Sequence, residues 1–286
     1  MSGKITRFFA FCAVLLAWAS CDRGRTPSNI EATDTLTLED TLETDSAYYF
    51  EEEDDGLSLE NHATEVFSDF IFAFTHNGRF QAERIRFPLR VKESDGVEYT
   101  IRSGRQFREE FQLPDNEYYT LILGDKDQMD TFQNDSTLTE VKFQCIDLAN
   151  HNMVSYDFSR TDGRWYLDSR THAPIEPKFS DFLRFYDHFT TDSVFQQESI
   201  ADQLVMLMED PDTEEGEDIE GTIDSGQWPV FRPDMPCGRF VNIDFGQTFP
   251  NPNRIYLLQC GVSNGLLNIF TFQHDNDRWR LTAYEN

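Results

Sequence analysis

The chain has 286 residues, with 52 acidic against 24 basic side chains and a formal net charge of −28. Its 26 phenylalanines can build a substantial core, so the composition excludes a chain that is disordered throughout. The acidic excess argues against a nucleic-acid partner, because phosphate backbones are bound by clustered lysine and arginine. It argues equally against wide contact with an anionic membrane surface.

The N-terminus has the anatomy of a secretory signal peptide. Lys4 and Arg7 precede an apolar run over residues 8–18, which is too short to span a bilayer as a helix. Ala19-Ser20-Cys21 then resembles the lipobox of bacterial lipoproteins, in which the cysteine is acylated and becomes the mature N-terminus. We therefore predict a signal peptide over residues 1–20 and lipid attachment at Cys21. The alternative is an ordinary cleaved signal, with Cys21 incidental.

Much of the negative charge lies in two runs. Residues 31–60 hold twelve acids and no base, and residues 209–224 hold nine acids and no base. The first run cannot bury enough apolar surface to fold, so residues 21–60 are predicted to be an acidic disordered tether. The second run contains Pro211, Gly216 and Gly221, which favours a loop inserted in a domain.

Self-comparison reveals an internal repeat with an offset of 112 to 115 residues. The matches are Phe67–Ile71 with Phe179–Leu183, Phe80–Ile85 with Phe195–Ile200, Gln144-Cys145 with Gln259-Cys260, and Arg164–Leu167 with Arg278–Leu281. Pro174 and Pro177 mark the joint between the copies. The sequence thus predicts two tandem domains, at residues 61–173 and 178–286, each of an ordinary single-domain size.

Each copy reads as helices followed by antiparallel strands. Apolar residues at i, i+3, i+4 and i+7 predict a helix from Phe67 and another from Phe179. Second helices are expected around Phe80–Phe87 and Val194–Met208. The predicted strands are 97–102, 118–123, 138–146 and 153–158 in the first copy, and 240–245, 255–262 and 267–272 in the second. This order predicts an α+β fold, with helices on one face of a curved antiparallel sheet.

Each copy ends in a predicted hairpin, with turns at Asp162-Gly163 and Asn276-Asp277 before an Arg-Trp-x-Leu strand. The first of these strands, Arg164-Trp165-Tyr166-Leu167, resembles the nuclear transport factor 2-like, or cystatin-like α+β, superfamily. A tandem pair behind a lipoprotein signal and an acidic linker resembles an uncharacterised lipoprotein family of Gram-negative gut bacteria. The resemblance implies cone-shaped sheets, often with a pocket. It also implies a lipid-anchored protein of the Gram-negative envelope, at the outer membrane, with its periplasmic or surface orientation open.

One duplicated polar pattern is a weak candidate for a pocket or an interface. Asp69 and His76 lie seven residues apart on the first helix, and Asp181 and His188 repeat the spacing. Residues at i and i+7 are about 10 Å apart along a helix, too far for a direct hydrogen bond. The four residues can therefore mark an interface between the copies or simply a polar outer face. We assign no catalytic residue.

The cysteines give one further expectation. Cys237 precedes a strand whose expected hairpin partner carries Cys260, so a disulfide between them is geometrically feasible in an oxidising compartment. The alternative is that these cysteines, with Cys145, are small buried side chains. No spacing typical of a zinc site, phosphate loop or hydrolase motif occurs in the sequence, and no cofactor is predicted.

The preferred functional hypothesis is a non-enzymatic, lipid-anchored envelope protein that binds a small molecule or a protein. The alternative is an isomerase- or dehydratase-like enzyme with a polar pocket in one cone, as the superfamily resemblance implies. A third hypothesis is a structural spacer. An open cone lined by polar groups would favour the enzyme, and a cone filled by phenylalanine would disfavour it.

Overall fold

The structure, a computed structural model, describes residues 66–114, 116–134, 137–209, 218–262 and 264–286. The predicted signal peptide, Cys21, the acidic tether and the middle of the second acidic run lie outside the described residues. Below, the first half means residues 66–174 and the second half residues 177–286. The described residues belong to one compact unit.

Seven α-helices and one 3-10 helix are present in the described chain, and three of the α-helices begin at side-chain caps. Ser103 Oγ accepts a hydrogen bond from the Gln106 backbone N–H at the start of α3. Asn77 accepts a hydrogen bond from the Phe80 backbone N–H, and Asp192 accepts from the Phe195 N–H. The α-helices are α1 Phe67–His76, α2 Gly78–Glu83, α3 Gly104–Glu110, α4 Gln128–Asn134, α5 Pro177–Thr191, α6 Ser193–Glu198 and α7 Trp228–Phe231. None combines the length and apolar character that a bilayer-spanning helix needs.

Twelve strands make up the sheet of the described residues. They are β1 Ile85–Lys92, β2 Glu98–Ile101, β3 Tyr118–Leu123, β4 Glu140–Asp147, β5 Asn152–Thr161, β6 Arg164–Pro174, β7 Ile200–Glu209, β8 Asp218–Asp224, β9 Arg239–Asp244, β10 Arg254–Gly261, β11 Leu267–Asp275 and β12 Arg278–Glu285. The second helices expected around Phe80–Phe87 and Val194–Met208 are present as α2 and α6, but they end at Glu83 and Glu198. Their predicted continuation is wrong, because buried and exposed residues alternate there with the period of a strand. The second acidic run is not wholly a loop, since residues 218–224 form an edge strand.

Both predicted terminal hairpins are present. β5 pairs with β6 through a turn at Asp162-Gly163, and β11 pairs with β12 through Asn276-Asp277. All four turn residues have positive φ, as a two-residue hairpin turn with the twist of the flanking strands requires.

The strands follow the order β2-β1-β6-β5-β4-β9-β3-β10-β11-β12-β7-β8 in one sheet. Neighbours are antiparallel except for three parallel pairs, β1 with β6, β7 with β12, and β3 with β9. Counted from either end of the sheet, the strands of the two halves follow the same order, from β2 and β8 at the edges to β9 and β3 at the centre. The protein therefore has a mixed α+β fold built on one large sheet.

The two central strands are exchanged between the halves. β3 belongs to the first half by sequence but pairs antiparallel with β10 of the second. β9 belongs to the second half but pairs antiparallel with β4 of the first. The hairpin expected between β9 and β10 is not formed, because β3 lies between them. A cut at the joint would leave each half without a strand that completes its sheet.

Two hydrophobic cores lie on opposite faces of this sheet. Leu121 and Leu123 of β3 join the first core, with α1, whereas Ile122 joins the second core, with α5. Successive side chains of a strand point to opposite faces, so the two helical layers cover opposite sides. The prediction that the helices lie on one face of the sheet is therefore correct within each half but wrong for the whole sheet.

The same ring contacts occur in both halves. They are Phe67–Phe158 at 5.6 Å with Phe182–Phe272 at 5.3 Å, Phe67–Trp165 at 5.1 Å with Phe182–Trp279 at 5.2 Å, and Phe70–Phe80 at 5.9 Å with Phe185–Phe195 at 5.8 Å. These pairs are separated by 114 or 115 residues. Positions that correspond in this way are called equivalent below.

Two of the sequence matches are out of register with these contacts. The match of Phe67 with Phe179 is displaced by three residues, close to one helical turn, because aromatic residues recur at helical spacing in both helices. The match of Cys145 with Cys260 is displaced by one residue. Cys145 shares its face of β4 with residues packed on α1, and its equivalent on β10 is Gln259, on the face packed against α5.

Candidate functional site

A groove of about 750 Å3 opens on the first half where β4, β5 and β9 meet the start of α5. Fifteen residues line it: Thr137, Leu138, Thr139, Glu140, Val141, Lys142, Asp157, Phe158, Ser159, Asp168, Glu176, Lys178, Asp244, Phe245 and Gly246. We call this the charged groove. Residues 244–246 reach it only because β9 is exchanged into the first half of the sheet, so both halves build it.

Strand register places three charges side by side on the floor of the charged groove. Lys142 of β4 is the direct partner of Asp157 on β5 and of Asp244 on β9. The neighbours of Lys142 on β4, Val141 and Phe143, are buried in the first core. Because side chains alternate along a strand, Lys142 projects from the opposite face, toward α5.

The start of α5 contributes a second cation. Lys178 Nζ lies 3.2 Å from Asp244 Oδ2 and 3.2 Å from Glu176 Oε2. Lys142 Nζ is 4.0 Å from Glu176 Oε1. Partial burial of the Lys178 ammonium favours its neutral form, but the attraction of Asp244 and Glu176 outweighs this and raises the pKa of Lys178. Lys178 therefore stays charged at neutral pH.

Asp157 has a different environment from the other acids of the charged groove. Its carboxylate accepts hydrogen bonds from Ser155 Oγ at 3.2 Å and from Ser169 Oγ at 2.7 Å. Asp168, by contrast, forms an ion pair with Arg86. Within the described chain no lysine or arginine lies within ion-pair distance of Asp157. Two hydroxyls hold this carboxylate in place while leaving its charge uncompensated.

The equivalent region of the second half is uncharged. The positions equivalent to Lys142, Asp157 and Asp168 hold Tyr256, Thr271 and Thr282, and Leu123 of β3 takes the place of Asp244. Thr282 only donates a hydrogen bond to the Thr271 carbonyl, at 3.2 Å. The same backbone is therefore built without these charges, so the fold does not require them.

A second charged cluster lies on the opposite face of β6. Arg170, Glu93, Tyr99, Glu110 and His172, which we call the Arg170 cluster, tie together β6, β1, β2 and α3. Arg170 Nη2 is 3.0 Å from Glu93 Oε1 and donates to Tyr99 OH at 2.6 Å, while Arg170 Nη1 is 3.1 Å from Glu110 Oε2. His172 Nδ1 lies 3.2 Å from Glu93 Oε2.

Titration of the Arg170 cluster follows from these contacts. Partial burial of Glu93 opposes its ionisation, but bonds from His172, Arg170 and Tyr99 outweigh it, and the pKa of Glu93 is lowered. Burial and the nearby Glu110 raise the pKa of Tyr99 to about 12. Every member is paired within the cluster, so it closes this end of the first half.

The second half closes the equivalent place with neutral groups. Tyr284, equivalent to Arg170, donates to Asn268 Oδ1 at 2.7 Å, and Asn268 Nδ2 donates to Gln259 Oε1 at 3.0 Å. Trp228 of α7 packs on the Tyr284 ring at 5.6 Å. The Trp228 Nε1–H has no acceptor among the described residues.

Aromatic side chains fill the concave face of both halves. Phe74, Phe107 and Phe158 are buried in the first core, and Tyr186 and Phe272 are buried in the second. Within the described residues, three or more His, Cys, Asp or Glu side chains nowhere gather closely enough to hold a metal ion.

The four residues proposed from sequence as pocket or interface candidates do not come together. Asp69 and His76 are exposed on α1, and His76 packs on Phe72 of the same helix. Asp181 accepts a hydrogen bond from Trp279 Nε1 at 3.0 Å. His188 stacks on Phe195 at 3.9 Å and lies 3.4 Å from Asp192. Asp181 therefore ties α5 to β12, and the two histidines pack on aromatic rings near them in sequence.

The three cysteines of the described chain are free thiols. β3 separates Cys260 on β10 from the start of β9, so the hairpin geometry behind the expected Cys237–Cys260 disulfide is absent. Burial raises the pKa of Cys145 and of Cys260 to about 12, which leaves both as inert thiols at neutral pH.

Sequence reasoning did not identify Lys142, Asp157 or Asp244. Polar residues that alternate with the buried ones on β4 and β5 were a signal, because they marked a second face of the sheet. That signal alone read as a solvated face. The charged groove is formed because α5 and the exchanged β9, both from the second half, lie beside β4 and β5. No local sequence pattern predicts either position.

Comparison with known proteins places the chain in a family. The model of a family described as a domain of unknown function (DUF4348) matches residues 47–286. The chain belongs to this family. A similar solved structure is the crystal structure of an NTF2-like protein (BF2862) from Bacteroides fragilis NCTC 9343, with 32% identity and a TM-score of 0.69. The match covers 79% of this chain and 97% of that one. No curated protein matches the chain.

The family assignment brings no activity with it, and the solved relative supports an NTF2-like fold for this chain. The expectation of that fold is confirmed. Fold alone does not assign function, so function is argued from the charged groove.

Proposed function

We propose that this protein is a lipid-anchored binding protein of the Gram-negative cell envelope, built from two copies of one α+β unit, and that its charged groove binds a small zwitterionic molecule. The observation that carries the binding proposal is the set of charges at Lys142, Asp157 and Asp244, which has no charged equivalent in the other half.

The pattern of charges suggests the class of ligand. Asp157 offers a fixed carboxylate to an ammonium group, with both serine bonds already in place. Lys142, its direct neighbour on β4, is half-exposed and can meet a carboxylate. An amino acid or a short peptide carries both groups, and charge-assisted hydrogen bonds to both ends would orient it.

The duplication is supported by the repeated ring contacts and by the matching order of strands from both ends of the sheet. The lipid anchor is supported by the signal-like N-terminus and Cys21. Its test is fractionation: Cys21→Ser should release the protein from membranes, and retention equal to that of the wild type would contradict the anchor.

Binding is tested first by native mass spectrometry of the protein purified from residue 22 onward without denaturation. Calorimetric titration with a panel of amino acids and dipeptides follows, with glucose as an uncharged probe. Asp157→Asn should raise the Kd of a binding zwitterion by about tenfold or more, because a hydrogen-bonded charge pair is lost. Thr271→Val, at the equivalent position, is the matched control and should leave the Kd unchanged.

Three results would contradict the proposal. The first is that glucose binds as tightly as the zwitterions do. The second is that the Asp157→Asn protein binds the zwitterion with the Kd of the wild type. The third is that the wild type neither carries a ligand nor binds any member of the panel.

The enzyme alternative has less support. Its expected location, the concave face of one half, is filled by aromatic side chains in both halves. The polar groups present there, Tyr284, Asn268 and Gln259, are hydrogen-bonded to one another. They serve packing of the second half better than they serve acid–base work, which needs a group within reach of a substrate.

A further inference from the structure

Three buried polar side chains lie at the point where the exchanged strands meet. Gln144 on β4, Asn242 on β9 and Thr120 on β3 are 1%, 0% and 0% exposed. Asn242 Nδ2 donates to Gln144 Oε1 at 2.9 Å. Thr120 Oγ1 lies 3.2 Å from Asn242 Oδ1 and donates to the Val241 carbonyl at 2.9 Å.

The equivalent strand pair of the second half has no such bond. There β10 lies beside β3, and the positions equivalent to Gln144 and Asn242 hold Leu258 and Leu121. Both leucines are completely buried. The pairing of β4 with β9 thus contains a buried amide pair, and the pairing of β10 with β3 contains a buried leucine pair at the same place.

Apart from this amide pair, the exchanged strands differ in charge at one partnered position, where β9 has Asp244 beside Lys142 and β3 has Leu123 in its place. β3 and β9 both present alternating apolar residues to the cores, Leu121 and Leu123 from one and Val241 and Ile243 from the other. By hydrophobic pattern alone, β3 of one first half can lie beside β4 of another first half. The fold would then close as a symmetric dimer of two first halves.

The amide pair makes that pairing unfavourable. β3 beside β4 would set Leu121 against Gln144, and β9 beside β10 would set Asn242 against Leu258. Gln144 Nε2 already lacks an acceptor among the described residues. Each arrangement also removes the bond from Asn242 Nδ2 to Gln144 Oε1, and leaving a further buried polar atom unpaired costs more than the bond contributes. A buried polar pair that excludes a wrong partner in this way is a specificity device.

We propose that the Gln144–Asn242 hydrogen bond is the specificity determinant of the strand exchange, so that the first half takes the second half, rather than a second copy of the first, as its partner. This proposal concerns assembly and does not depend on what the charged groove binds.

The test uses the chain from residue 22 onward with a protease site inserted between Ile175 and Glu176. After cleavage, denaturation in urea and refolding, native mass spectrometry counts complexes of the two halves. The wild type should return complexes of a first with a second half. Gln144→Leu combined with Asn242→Leu makes both pairings apolar, and it should raise the share of first-half homodimers by about tenfold or more.

The matched control carries the same two changes at an amide pair that joins β10 to β11 and does not bridge an exchanged pairing, Gln259→Leu with Asn268→Leu. Its halves should keep the partner choice of the wild type. A transfer variant moves the amide pair to the other exchanged pairing, with Gln144→Leu, Asn242→Leu, Leu258→Gln and Leu121→Asn. It should again give mixed complexes, and it also tests the proposal if the double leucine variant fails to refold.

The proposal is overturned if the cleaved wild-type halves part as two folded monomers, or if the double leucine variant refolds to mixed complexes as faithfully as the wild type. It is overturned equally if the transfer variant forms homodimers.

Discussion

Arg170 in the first half and Tyr284 in the second occupy equivalent places on the sheet with different chemistry. Around Arg170, two carboxylates, a tyrosine and a histidine surround one buried charge. Around Tyr284, neutral hydrogen bonds do the same structural work. The second half thus acts as an internal control: what both halves share is required by the fold, and what only one has needs another explanation.

The shared aromatic core should give the largest effect. Phe272→Ala removes the ring that packs on Phe182, Tyr186 and Phe189, and should lower the free energy of unfolding by about 4 kcal/mol. Phe158→Ala, its equivalent, should cost a similar amount. Urea unfolding followed by circular dichroism measures both.

Each of these two variants should also unfold in a single transition, because the halves share one sheet and exchange strands. Two separate transitions in either variant would show that the halves unfold independently. The two halves could then not be compared as parts of one cooperative unit.

Arg170→Ala should follow, with a loss of about 3 kcal/mol, because it leaves Glu93 and Glu110 partly buried without their cation. Tyr284→Phe, at the equivalent place, loses one neutral hydrogen bond and should cost only about 1 kcal/mol. If Arg170→Ala costs no more than Tyr284→Phe, the Arg170 cluster does not stabilise the first half.

A triple variant sharpens the comparison. Arg170→Tyr with Glu93→Gln and Glu110→Gln removes the arginine and both carboxylates from the Arg170 cluster, so that it resembles the neutral equivalent place around Tyr284. It should recover much of the stability that Arg170→Ala loses, because no charge is then left unpaired. Failure to recover would point to packing of the Arg170 side chain itself.

Most local structure of this protein follows from its sequence. The stripes of α1 and α5, the caps at Asn77 and Asp192 and the turns before Trp165 and Trp279 all have local causes, and the structure contains them. The alignment of α1 with α5 could not be predicted from the sequence. Phenylalanine recurs on both helices at helical spacing, so an alignment displaced by one turn still matches phenylalanine with phenylalanine.

Strand exchange could not be predicted either. β3 and β9 carry the alternating pattern of any half-buried strand, and that pattern does not specify a neighbour. The charged groove was missed for the same reason, since Asp244 comes beside Lys142 only through the exchange. A sequence signal of partner choice was polar: Gln144 and Asn242 stand at positions where the other half has leucine.

The next effect is on pH dependence. The folded-state pKa of Glu93 is lowered, so its contribution to stability is complete above the unfolded-state pKa, near 4.5, and is lost as pH falls through the folded value. Glu93→Gln should therefore lose less stability between pH 7 and pH 3 than the wild type does. Urea midpoints measured across that range test this.

Glu98→Gln, a nearby exposed position on β2, is the matched control and should follow the wild-type profile. The reverse outcome, in which Glu98→Gln flattens the profile and Glu93→Gln does not, would remove the Arg170 cluster as the source of the difference between the halves in acid.

The smallest effect is expected at the helix histidines and acids that the sequence made prominent. His188 stacks on Phe195 at an exposed site and faces Asp192 at 3.4 Å, and exposed ion pairs contribute little. His188→Ala should lower the free energy of unfolding by about 0.5 kcal/mol or less. His76→Ala should match it, and neither should alter ligand binding by the wild-type groove. Both histidines lie on helices whose inner faces already pack against the aromatic cores, and neither lines the charged groove. A loss of binding in either variant would therefore show that the duplicated Asp–His spacing marks a binding site.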